Sequence, residues 1–181
     1  NSSPRYLTNV NGTLYFGAND GINGYELWRI NSSGVAELVE DGVAGGGIAP
    51  GAASSSPDLL TNVNGTLYFR ANDGSSGSEL WRINSSGVAE LVEDGVAGGG
   101  IHPGAGSYPR FLTNVNGTLY FRADDGSNGE ELWRINSSGV AELVEDGVAG
   151  GGIRLGSAGS SPELLTNVNG TVYFRAFDDS N

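Results

Sequence analysis

The sequence predicts an all-β fold, a β-propeller segment of four-stranded antiparallel blades, and three observations carry that prediction. First, the text repeats with a period near 50 residues: Trp28, Trp81 and Trp133 lie 53 and 52 apart, and "LTNVNGT" begins at Leu7, Leu60 and Leu112. That period belongs to propellers and arrays rather than to a single compact fold. Second, each unit reads as strand and turn, with no helical periodicity of useful length. Third, the strands carry apolar groups on both faces, Leu14 and Phe16 against Tyr15, and Leu27 against Trp28 and Ile30. Strands covered on both sides suit blades stacked between blades. A β-solenoid with one repeat per coil is the alternative.

The first unit sets the pattern for the others. Strand a is expected over 5–10 and strand b over 13–18, joined by Asn11-Gly12. That dipeptide is a strong hairpin signal, because both central residues of a type I′ turn need φ above zero. Strand c is expected over 26–30, reached through "NDGING", and strand d over 35–39, reached through "NSSG". A glycine-rich connection, "DGVAGGGIAPGAASSSP", leads to the next unit. Residues 1–181 thus read as a single repeat region, with repeats at 5–57, 58–109 and 110–162 and a partial repeat at 163–181. The chain opens at Asn1 inside repeat text and reads as a piece of something longer.

Composition narrows the function classes. A formal charge of −12 argues against nucleic acid and against anionic membrane surfaces. No apolar run approaches the roughly 18 residues needed to span a bilayer. All cationic residues are Arg, and the absence of Lys, Cys and Met removes Schiff-base lysines, disulfides and Cys-based zinc sites.

Differences between the copies concentrate in two places. "ELWRINSSGVAELVEDGVAGGGI" occurs unchanged from Glu26, Glu79 and Glu131. Variation falls in the b–c loops ("INGY", "SSGS", "SNGE") and in the d–a connections after Ile48, Ile101 and Ile153. Antiparallel order places both at the same end of every blade. Either long loops drift there unconstrained, or that end recognises a partner through Tyr25, His102, Tyr108 and Arg154.

Other chemistry is weighed against plainer structural roles. Asp20 with Glu26, Asp73 with Glu79 and Asp125 with Glu131 stand six residues apart across a glycine turn. Calcium takes six to eight oxygen ligands in such loops, but the spacing is not that of an EF-hand, and a structural Asp-Gly hairpin explains it as well. His102, the only histidine, sits beside Pro103 and is expected to be simply exposed. The tryptophans are expected in the core rather than stacked on sugars. Asn-x-Ser/Thr sequons recur, yet each coincides with a turn that wants Asn for its own geometry. Catalysis needs different groups in different roles around one point, whereas these blades repeat the same groups, so no enzyme is expected and no cofactor is required.

"PRYLTNVNGTLYFGAND" followed by "YELWRINSSGVAELV" resembles kelch-type propeller blades. More closely it is similar to the ELWxxDGT repeats of large bacterial secreted or surface proteins, notably cyanobacterial ones. "ELW" stands at Glu26–Trp28, Glu79–Trp81 and Glu131–Trp133, while "NSSG" replaces the expected "DGT". The resemblance implies propeller architecture, an extracellular or cell-surface location, and little about biochemical function. The expectation is a non-enzymatic module for protein or glycan binding or scaffolding. A purely structural repeat of a surface filament, or an engineered or excerpted propeller fragment, is the alternative. Apolar ends predict a homo-oligomer, a dimer closing a ring, or further repeats of a longer chain.

Overall fold

The computed structural model describes residues 2–51, 53–96, 98–147 and 151–178. Each of the first three repeats is an antiparallel meander whose strands pair in chain order. The first holds β1 (Arg5–Val10), β2 (Thr13–Asn19), β3 (Tyr25–Ile30) and β4 (Ala36–Leu38). The second holds β5 (Asp58–Val63), β6 (Thr66–Asn72), β7 (Ser78–Ile83) and β8 (Ala89–Leu91). The third holds β9 (Arg110–Val115), β10 (Thr118–Asp124), β11 (Glu130–Ile135) and β12 (Ala141–Leu143). A hairpin of β13 (Glu163–Val168) and β14 (Thr171–Arg175) follows. Residues 179–181 of the partial repeat lie outside the described residues.

Sheets form within repeats and not between them, which is blade topology; a solenoid would pair strands of successive coils. The first strands of successive repeats touch in turn, β1 with β5, β5 with β9 and β9 with β13. Strand a is therefore innermost and strand d outermost. The a–b turn has the expected type I′ geometry, with Asn11 at φ +51° and Gly12 at φ +87°. Strand boundaries differ from the sequence reading by one residue at the ends of β2, β3 and β4.

Two apolar layers lie between the three full blades. In the first, Val10, Tyr15, Leu27, Val39 and Ile48 of one blade meet Leu67, Phe69, Trp81 and Ile83 of the next. The second repeats it one step on, with Val63, Tyr68 and Leu80 against Leu119, Phe121 and Trp133. The sequence alternates Leu14, Phe16 with Tyr15 because a strand's neighbours point to opposite faces, and each face meets a different blade.

Polar rungs repeat at the same step. Asn62 Nδ2 donates to the Asn9 carbonyl (3.0 Å), Asn114 to that of Asn62 (3.1 Å) and Asn167 to that of Asn114 (3.1 Å). Towards the rim, Arg29 Nη1 donates to the Gly87 carbonyl and Arg82 Nη1 to that of Gly139, at 2.9 and 2.7 Å. The same arginines pair with Glu37 and Glu90 on β4 and β8. These residues belong to the unvarying text because every blade needs the same rungs.

Candidate functional site

The unvarying glutamate of "ELW" is fully buried in all three blades and ties each connection to its blade. Glu79 accepts from the backbone N–H of Ile101 (3.2 Å), His102 (3.2 Å) and Ser107 (2.8 Å), and from Ser107 Oγ (2.5 Å). Glu26 does the same with Ile48 and Ser55, and Glu131 with Ile153, Arg154 and Ser160. Burial pushes the Glu26 and Glu79 carboxyls up from their ordinary value, against the pull of the serine and backbone donors. Gly47 is obligatory beside this group: a Cβ there would lie 2.6 Å from Glu26 Oε2. The serines were not singled out in the sequence, although a signal existed. Ser55, Ser107 and Ser160 each stand two residues before a proline in connections whose other residues change.

The aspartates serve a separate turn. Asp20 Oδ1 accepts from the N–H of Ile22 (2.9 Å) and Asn23 (2.8 Å), and Asp73 and Asp125 cap their own turns in the same way. Backbone donation from Asn23 and Ile22 lowers the Asp20 pKa. For Asp73 burial works upward, but donation from Ser76 and Ser75 outweighs it and the pKa is lowered. Asp20 and Glu26, and their counterparts, are thus committed to different donors, the aspartates to their own turn and the glutamates to the distant d–a connection. Among the described residues no group of three or more acidic, His or Cys side chains could hold a metal ion.

The two variable segments do meet at one end of the blades. Ser54 Oγ of the first d–a connection accepts from the Tyr25 N–H (2.8 Å). A Cβ on Gly77 would strike the Ala105 carbonyl, and one on Gly126 would strike the His102 ring. His102 is consequently not simply exposed: it is half-buried against the b–c turn of the next blade, with Nδ1 buried and without a hydrogen-bond partner among the described residues. Tyr108 is exposed, while Arg154 is half-buried and donates to the Gly159 carbonyl (3.5 Å).

At the same end each inner strand is broken by a bulge, and one bulky residue takes left-handed φ: Tyr6 (+57°), Leu59 (+55°), Phe111 (+56°) and Leu164 (+59°). Left-handed φ in a bulky residue stores of order 1–3 kcal/mol and points to a constraint worth explaining. Three of these residues, Tyr6, Leu59 and Phe111, border one groove on the inner strands, of about 680 Å³, which Arg70 and Arg110 also line. A second groove, about 600 Å³, lies beside it among Ser2, Arg5, Tyr6, Asn19, Tyr25 and Asp58.

The pairs across each bulge differ from blade to blade. Asp58 faces Arg70 and holds it by two hydrogen bonds, 2.9 and 2.5 Å, and Glu163 holds Arg175 by one, from Nη2 to Oε2. In the third blade Arg110 faces Arg122, which instead turns to Glu130 (3.3 Å) and Glu163 (3.9 Å) and stacks over the Phe111 ring. In the first, Gly17 replaces the arginine, and the Tyr25 ring fills the vacated space at 2.7 Å from where a Cβ would stand. Gly17 and Tyr25 are a matched exchange, which the sequence shows only as two separate departures from the repeat.

No family model, curated protein or solved structure matches the chain.

Proposed function

We propose that the chain is a non-enzymatic β-propeller repeat module that binds protein or glycan at its variable end, on an extracellular or cell-surface protein of the ELWxxDGT-repeat type. One observation carries the reading. The residues that hold blade to blade are unchanged from copy to copy, and the differences gather at the end that bears the bulges and grooves. Drift alone would not pair Gly17 with Tyr25, or bury Arg122 between carboxylates of two elements. The mixed lining of aromatic, aliphatic and Arg side chains suits recognition more than acid–base chemistry, which needs a nucleophile or base with an orienting partner.

A glycan array probed with the 181-residue chain tests it. Specific binding that disappears when the b–c loops of all three blades are made identical supports the module. Silence on the array and against a panel of surface proteins removes it. The competing reading is a purely structural repeat, favoured by the rungs that recur at every blade step. That reading predicts assembly without a ligand.

A further inference from the structure

Seven of the nine arginines are engaged by an ion pair or hydrogen bond; Arg5 and Arg110 have neither among the described residues. Both occupy the first position of an inner strand at the bulged end. Their cross-strand neighbours explain the vacancy: Arg5 faces Gly17, and Arg110 faces an arginine already turned to Glu130 and Glu163. The equivalent positions in the other two repeats are acids that satisfy their arginines internally. A chain of net charge −12 thus keeps two arginines with no ion pair or hydrogen bond among the described residues, Arg110 on the first groove and Arg5 on the second.

Resting on the reading of this end as a binding face, we infer that these grooves take an acidic oligosaccharide, one built of uronate-type sugars. A guanidinium meets a carboxylate through two parallel N–H donors, which suits Arg5 and Arg110 to anionic rings. Tyr6 borders both grooves and is 49% exposed; Phe111 is 38% exposed, with Arg122 at 5.1 Å from its ring centroid. Such aromatic surfaces receive the apolar C–H face of a pyranose. Ser2, Asn19 and Ser56 line the Arg5 groove and supply partners for sugar hydroxyls. The Tyr25 hydroxyl on the same groove is buried with no hydrogen-bond partner among the described residues. An acidic peptide fits less well, because strand addition needs a regular edge and the bulges at Tyr6, Leu59 and Phe111 interrupt it.

The test is calorimetric titration of the 181-residue chain with tetragalacturonate, the matching neutral galactose tetramer and tetraglutamate. The uronate binds, R5A and R110A each weaken it about tenfold, and the double variant abolishes it while melting as the parent does. Raising the salt weakens binding, as for any exposed charge contact. Equal or tighter binding of the neutral tetramer or of tetraglutamate overturns the inference. So does unchanged affinity in both single variants. Silence toward all three probes overturns it too, while the loop-dependent result on the glycan array still decides the broader module reading.

Discussion

Glu79 answers four donors with one carboxylate, and it is the residue on which a blade's connection depends. Glu79→Ala leaves those donors buried and unanswered and should cost about 3 kcal/mol or more. Asp73→Ala, in a turn nearer solvent, should cost about 1 kcal/mol; chemical denaturation of the two variants measures the contrast. The two acids also respond oppositely to pH. Glu26 and Glu79 have pKa values raised by burial, so the folded chain binds protons more readily than the unfolded one there. Their contribution is fully present below the ordinary carboxyl value and is lost as pH rises through the folded value. Asp20 and Asp73, lowered, contribute above their ordinary value and lose it as pH falls through the folded one. Above the ordinary carboxyl value the lowered aspartates are already ionised in both states, so as pH rises through the folded value of the glutamates the melting temperature should fall. Replacing both with Gln should flatten that slope, and a slope unchanged in the double variant would refute the assignment.

At the scale of the strand, burial depends on which blade a residue serves. Trp81 is 4% exposed between two blades, whereas Trp28, its counterpart on the first blade, is only half-buried. Trp81→Ala should therefore cost about 3–5 kcal/mol, and Trp28→Ala distinctly less; thermal melts of the two variants give the comparison. The difference follows from position in the stack, since β3 and β7 carry the same "ELWRI" text. The inner strands show the opposite case: the bulge recurs with Tyr, Leu, Phe and Leu at the left-handed position. Pairing geometry, not residue type, imposes that conformation.

For the whole molecule, the first blade presents Phe16, Trp28 and Ile30 on a half-buried face, and β14, near Phe174, pairs among the described residues with β13 alone. Faces and edges of this kind associate, and the same interface that joins the blades can join two copies head to tail. We propose a homodimer closing a ring, or further repeats in the same role. Native mass spectrometry should give about twice 18.6 kDa; a stable monomer would rule out closure between copies. The separate commitments of Asp20 and Glu26 also predict that melts in EDTA and in millimolar Ca²⁺ superimpose. A clear rise with Ca²⁺ would reopen a metal site.

The sequence by itself determined the number of repeats in this chain, the order of strands within each and the Asn-Gly hairpins, because these follow from a local period and from φ preferences at Asn11 and Gly12. It also placed the variable segments at one end, since antiparallel order fixes where loops fall. Tertiary structure alone decided what Glu26, Glu79 and Glu131 do. Their partners stand 22 to 29 residues away, and no local pattern ties Glu26 to Ser55. It likewise decided the fate of the arginines. Arg5 and Arg110 read like any other arginine in the text, and only the register across the bulge sets one opposite a glycine and the other opposite a second arginine. Charge pairing is a property of strands brought side by side, and register is settled only when the chain folds.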